Sequence, residues 1–273
     1  MTKEIGLKFD EIGNWSELKL EIVEKYGSAY TKAFKSTSLK KYYIDAFSGS
    51  GVHISKKSGE MVPGSPLRVL ETEPPFDEYY FIDLSREKTE YLEQFCKDKK
   101  NVHIHTGDCN EVLISKILPN IKYERRNRAL CLLDPYGLHL NWEVILIAGQ
   151  SNAIDMFLNF PIMDMNRNAI WRNPDKVPSE GIERMNKFWG DESWKEIAYT
   201  KEPDLFGHYT KKQENESIVN AFIERIKNIA GFQYVADPLP MKNSVNAVVY
   251  YLLFASQKPV AVKIIKDIYK RYK

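Results

Sequence analysis

Lys41-Tyr42-Tyr43-Ile44-Asp45-Ala46-Phe47-Ser48-Gly49-Ser50-Gly51 is an apolar run that ends in an acid and opens into two glycines one residue apart. Buried parallel strands read as such runs. At the carboxyl end of a parallel strand a glycine lets a ligand approach the backbone where a side chain would block it. A Gly-x-Gly alone also fits a tight turn. Its order relative to later acid-bearing strand ends makes it informative.

Working outward, strand patterns recur at 41–46, 78–83, 101–106, 128–134 and 153–160, with helical patterns at 66–73, 86–98, 109–118 and 141–149. That alternation predicts an α/β fold with a parallel sheet wound by helices. Residues 14–37 predict an amphipathic helix capped by Asn14 or Ser16, within an N-terminal segment spanning 1–38. Residues 49–64 are expected to form a polar loop, and Ser65-Pro66 to cap and begin the next helix. Residues 162–213 lack strand alternation and are expected to be a mainly helical insertion after the fifth strand. Strands at 232–237 and 247–255 follow one another too closely for a helical crossover, which predicts an antiparallel pair. The expected whole is one domain over 1–273, with a Rossmann-like sheet of seven strands, mostly parallel, one of them antiparallel.

A chain of 273 residues, 43% hydrophobic and 28% charged, is ordinarily globular. Its net charge of +2 neither demands nor excludes nucleic acid. Three widely spaced cysteines, Cys96, Cys109 and Cys131, fit buried thiols of a cytoplasmic protein better than a disulfide or zinc scaffold. The five histidines form no metal-ligand spacing. No apolar run approaches membrane-spanning length, so no membrane partner is expected.

Ligands of open α/β sheets bind outside the carboxyl ends of the strands. Here those ends carry Asp45, Asp83, Asp108-Cys109, Asp134-Pro135-Tyr136-Gly137 and Asn159-Phe160. An acid at the second strand end suits ribose hydroxyls, because its two oxygens can accept from both. Asp108 can accept from an adenine amino group. Any one of these residues could instead cap a helix; five in register favour a shared nucleoside site. The nicotinamide fingerprint would need a third glycine where Ile54 stands, and there is no Gly-Lys-Ser/Thr for a triphosphate. An adenosyl ligand without phosphates fits better.

Asp45-Ala46-Phe47-Ser48-Gly49-Ser50-Gly51 resembles the first motif of class I methyltransferases, especially the form common among nucleic-acid amino-methyltransferases. Asp134-Pro135-Tyr136-Gly137 resembles their fourth motif, and its Asp-Pro-aromatic-Gly form is similar to that of the transfer-RNA guanosine amino-dimethylating enzymes. Over nearly the whole chain the closest likeness is to the bacterial three-Cys-motif partner proteins (TcmP). The matching landmarks are Tyr43–Gly51, Gly64-Ser65-Pro66-Leu67, Leu133–Gly137, Asn159-Phe160-Pro161, Phe188-Trp189-Gly190 and Phe254-Ala255-Ser256.

These resemblances imply S-adenosyl-L-methionine as cofactor, held by Asp45, Phe47, Gly49, Gly51, Asp83, Asp108 and Cys109. They imply an amine acceptor oriented by Asp134, Pro135 and Tyr136. Asn159 and Phe160 would line the acceptor pocket. Arg167 and Arg172, interleaved with tryptophans in the insertion, would suit phosphate contact, although tryptophans usually fill cores and basic residues usually lie on a solvated face. The expected function is methylation of an exocyclic nucleobase amine. The alternatives are a small-molecule or protein methyltransferase, and a non-catalytic partner of a neighbouring three-cysteine protein.

Overall fold

The structure is a computed structural model and describes residues 8–204 and 207–272. Residues 1–7 of the expected N-terminal segment lie outside it. The chain divides into two compact units, Met1–Leu132 with Lys263–Lys273, and Leu133–Val262.

In the first unit a short strand β1 (Glu11–Ile12) leads into helix α1 (Asn14–Ala33). Gly13 occupies the cap position with no side-chain bond, so neither Asn14 nor Ser16 serves there. The helix stops short of residue 37 because Thr37 bonds locally, its hydroxyl donating to the Phe34 carbonyl, an alternative to the helical ladder. Leu20, Ile22, Val23, Tyr26 and Tyr30 form its buried face. Tyr30 stacks on Phe76 with ring centroids 5.8 Å apart, and the burial of Phe76 alone contributes about 2–3 kcal/mol.

Strand β2 (Lys40–Asp45) follows. The expected polar loop then proves to be a hairpin, β3 (Val52–Ser55) against β4 (Met61–Pro63), with β3 also pairing parallel to β1. Strands this short, with partners far off in the chain, leave little alternation to read. The hairpin closes at its base where the Gly64 N–H donates to the Gly51 carbonyl, 2.7 Å. Gly64, not Ser65, then occupies the cap position of α2 (Ser65–Leu70).

Next come β5 (Glu78–Asp83), α3 (Arg86–Cys96), β6 (Val102–Thr106), the single turn α4 (Cys109–Val112) and β7 (Asn127–Leu133). The expected helix over 109–118 is one α turn, a wider turn over Leu113–Ile117 and a tight turn over Leu118–Asn120. β7, β2, β5 and β6 lie side by side, all parallel, with Asp45 beside both Phe81 and Leu132. Tyr43, Ile44, Phe81, Ile82 and Leu130 are fully buried, as expected of strands covered on both faces.

The second unit holds α5 (Trp142–Gln150) and β8 (Ile154–Phe160). The insertion begins with α6 (Ile162–Asn168), α7 (Ser179–Trp189) and α8 (Trp194–Ala198). The mainly helical form expected here then gives way to strands: β9 (Tyr199–Asp204) and β10 (Gly207–Lys212) make an antiparallel hairpin. Glu202 holds the hairpin from one face, paired with Lys211 at 2.8 Å and accepting from the Tyr209 hydroxyl at 2.7 Å. Trp189 and Trp194 are buried, at 1% and 2% exposure. They fill the core of this region and offer no stacking face.

Helix α9 (Asn215–Asn228) precedes β11 (Tyr234–Val235), β12 (Leu239–Lys242) and β13 (Val248–Ser256). The strand expected over 232–237 shrinks to two residues, and Pro238 beyond it has no N–H for a ladder. β12 takes up the pairing. β13 runs antiparallel to β8, β11 and β12 alike. The last helix, α10, spans Pro259–Tyr269. The fold is thus α/β with a mixed, mostly parallel sheet. Among the described residues no helix is long and apolar enough to cross a membrane.

Candidate functional site

The first unit gathers a cradle at the carboxyl ends of β2, β5 and β6. Asp45 is fully buried, and its Oδ1 accepts from the Phe47 N–H at 3.2 Å, turning the chain out of the strand. Phe47 is half-buried. The turn is then fastened to the neighbouring strand end. The Ser48 N–H and hydroxyl both donate to the Ile82 carbonyl, at 2.8 and 3.1 Å.

Asp83 is the main fastener. Its Oδ2 accepts from the Gly49 N–H at 2.9 Å and its Oδ1 from the Ser85 N–H at 2.8 Å. Each carboxylate oxygen carries two lone pairs, so one acceptor site on each oxygen is left over. Asp83 is 8% exposed. Those remaining sites are directional and sparingly hydrated.

The two glycines differ in what they do. Gly49 has φ +61 and Gly51 φ +79, backbone that side chains adopt at a cost of about 1–2 kcal/mol. A Cβ on Gly51 would strike Leu92 Cδ1 at 2.7 Å, whereas one on Gly49 would meet nothing closer than His53 Cε1 at 3.9 Å. Gly51 is required by packing inside the protein. Gly49 borders open space.

Asp108 caps α4: its Oδ1 accepts from the Asn110 and Glu111 N–H groups, at 2.8 and 3.2 Å. The capping role that sequence left open is therefore real, and Oδ2 makes neither of those bonds. Cys109 is buried at 6% exposure. Burial, then the Asp108 carboxylate, pushes its thiol up to about 12 from an ordinary 9.0, so it is no nucleophile at neutral pH. Burial, then Asp45, pushes the Cys131 thiol up as well.

A thiol raised in the folded state keeps its proton longer there than in the unfolded chain. The stability contributed by a neutral Cys109 is fully present below pH 9 and is lost as pH rises toward 12, at about 1.4 kcal/mol per pH unit. Cys109→Ala should therefore flatten the fall of Tm between pH 9 and 11. A parallel pair of Tm–pH curves would contradict this.

In the second unit, Asp134-Pro135-Tyr136-Gly137 is the turn that leaves β7. Pro135 is buried and Tyr136 is 61% exposed, so much of its side chain is open to solvent. A Cβ on Gly137 would lie 2.5 Å from Asp164 Oδ2. Asp164, on α6, thus sets the space beneath this turn. Nothing in the sequence relates it to residue 137.

Asn159 is 9% exposed, and its buried Oδ1 has no hydrogen-bond partner among the described residues. An amide oxygen left so costs about 1–3 kcal/mol, which a ligand donor can recover. Phe160 is fully buried, 4.9 Å from Phe222 and 5.9 Å from Phe188 between ring centroids, so its ring packs with the core aromatics of this unit. Arg167 and Arg172 are exposed. The Arg167 carbonyl accepts from the Trp171 indole N–H at 2.7 Å.

No family model matches this chain, and no curated protein matches it. Among solved structures it is similar to protein LPL1258 from Legionella pneumophila, of the family described as DUF519, with 12% identity, a TM-score of 0.56, and 95% of this chain covering 93% of that one. It also resembles the DszA carbon methyltransferase, with 14% identity, a TM-score of 0.47, and 88% of this chain covering 54% of that one. For Trm5b from Pyrococcus abyssi the figures are 14%, 0.37, 85% and 48%. The likeness to the first is one of fold. The chain spans about half the length of the other two.

Proposed function

We propose that this chain is an S-adenosyl-L-methionine-dependent methyltransferase that methylates an exocyclic amine of a nucleobase. The observation that carries the reading is the glycine turn held by Asp83: open space beside Gly49, with unused acceptor sites on the carboxylate that fixes it. The cradle fits an adenosyl group. Asp83 has one acceptor site on each oxygen for the two ribose hydroxyls, and Gly49 leaves room for close approach to the backbone. The thiol of Cys109 is uncharged and buried, which suits a flat apolar ring. When bound, the cofactor supplies an electrophilic methyl group on a sulfonium.

The remaining work is positioning, since an in-line displacement depends on alignment more than on acid–base strength. An exocyclic amine is a poor nucleophile because its lone pair is delocalised into the ring. The Asp134 carboxylate and the Pro135 carbonyl accept its two hydrogens and favour a tetrahedral nitrogen. Tyr136, exposed by 61%, stacks on the base, and a base from a duplex is flipped out to reach it. The unpartnered amide oxygen of Asn159 takes a further donor of the acceptor. Arg167 and Arg172 offer charge to the flanking phosphates.

Tyr136→Ala should raise the acceptor KM about tenfold or more, in line with about 1–3 kcal/mol per stacked base. Tyr136→Phe should stay near the parent. Equal KM for all three would remove the stacking role. The reading as a whole is tested by incubating the protein and radiolabelled cofactor with fractionated RNA and DNA, with and without a three-cysteine-motif protein, the partner that the resemblance suggests. Label in one modified nucleoside is the expected result. Label confined to protein or small molecules would overturn the nucleobase assignment. No cofactor binding by calorimetry would leave the non-catalytic reading.

A further inference from the structure

The opposite edge of the first unit carries a charge pattern that the cradle does not use. Four segments, residues 35–41, 73–78, 97–101 and 122–128, lead into β2, β5, β6 and β7. Because these strands are parallel, the segments meet along one edge. The Lys40 N–H donates to the Arg126 carbonyl at 3.0 Å, Asp77 to Lys41 at 2.8 Å, and Tyr79 to Asn101 at 2.9 Å. Four strands at their usual spacing make that edge about 14 Å wide.

These segments hold ten lysines and arginines against five acids, +5 in a chain whose net charge is +2. At the other ends of the strands, residues 45–51, 83–85 and 106–111 contain no lysine or arginine at all. The unit is thus polarised along its strands.

Pairing sharpens the pattern. Lys40 and Lys41, at the middle, are neutralised by Glu78 at 2.8 Å and Asp77 at 3.1 Å. The flanks are not. Lys35, Lys122 and Arg125 on one side, and Lys97, Lys99 and Lys100 on the other, are exposed and make no ion pair among the described residues. Beside the first group, the Arg128 guanidinium lies 3.8 Å from the centroid of the Tyr123 ring, and that tyrosine is 42% exposed. Two cationic lobes beside a cation-backed aromatic fit a strand of nucleic acid, which brings regularly spaced phosphates and stackable bases.

We propose that this amino-terminal edge is a docking surface for the phosphate backbone of nucleic acid, separate from the cradle. The proposal rests on the nucleobase reading of the acceptor, and it concerns binding alone. Phosphates lie across the two lobes, displacing counterions from six unpaired cations. The segment held there is distinct from the nucleotide that is modified.

The test is fluorescence anisotropy of the full chain with a labelled 20-nucleotide RNA, and with DNA of the same sequence, without cofactor, between 50 and 300 mM KCl. The parent should give a slope of log K on log salt of about −4, six cations at about −0.7 each for a single strand. Lys97→Gln/Lys99→Gln/Lys100→Gln and Lys122→Gln/Arg125→Gln should each weaken binding at least fivefold at 100 mM. The triple variant should also lose about 2 from the slope. Lys187→Gln/Lys201→Gln, charges removed from the second unit, should bind as the parent does.

Parent-like binding by both lobe variants would overturn the proposal. So would polyaspartate displacing the RNA at equal charge concentration, which would point to an acidic protein. The relative RNA and DNA affinities decide which strand docks. Lobe variants that lose affinity for RNA, when even the parent transfers no methyl group, would leave the docking surface standing and defeat the methylation reading. Methylation that persists alongside parent-like binding by those variants would do the reverse.

Discussion

Asp134→Asn is expected to keep S-adenosylmethionine affinity within about twofold and to cut methyl transfer by about 10²–10³-fold, the usual effect of losing one group aimed at charge that develops in the transition state. The side chain keeps its shape and loses its charge. What disappears is the attraction for the amine hydrogens as the nitrogen becomes tetrahedral, so the loss should fall on kcat and leave the acceptor KM nearly unchanged. Transfer at the parent rate by a folded Asp134→Asn would remove this residue from the chemistry.

The second large effect belongs to the cradle. Gly49→Val should lower cofactor affinity at least tenfold, because its branched side chain fills open space beside the turn and must also adopt φ +61. Asp83 needs two variants. Asp83→Ala removes the acceptor of the buried Gly49 N–H, worth about 1–3 kcal/mol when orphaned, and of the part-buried Ser85 N–H. It should therefore lower Tm as well as cofactor affinity. Asp83→Asn retains one acceptor oxygen and separates the effects: a near-parent Tm with affinity reduced about tenfold or more. Unchanged cofactor binding by calorimetry in both Gly49→Val and Asp83→Asn would place the cofactor elsewhere.

The parallel strands and their acid-bearing ends were legible because strands buried on both faces must be continuous apolar runs, as at 42–44, 79–82 and 129–133. The hairpins at 52–63 and 199–212 were not. Their strands are short: the alternation of Val52-His53-Ile54-Ser55 runs for only four residues, and 199–204 and 207–212 carry few apolar residues to alternate. Within the candidate site, sequence located the turns at the strand ends and was less able to say what each side chain does there. Asp108 proves to cap a helix as well as stand at a strand end, and periodicity cannot separate a core phenylalanine such as Phe160 from a pocket wall. Asp164 could not be found at all, because its relation to Gly137 exists only in space.

The bond between Gly64 and Gly51 has a consequence for how this family of shapes can change. It seals the base of the 52–63 hairpin, so the chain enters and leaves that excursion at a single point. Loop length is thermodynamically inexpensive, about 0.6 kcal/mol per doubling. Material between these two glycines can therefore be lengthened, trimmed or exchanged while the turn at Phe47–Gly51 keeps its form. Chains built on this plan should show their insertions and deletions here. A graft of an unrelated hairpin between Gly51 and Gly64 should fold with its cradle intact.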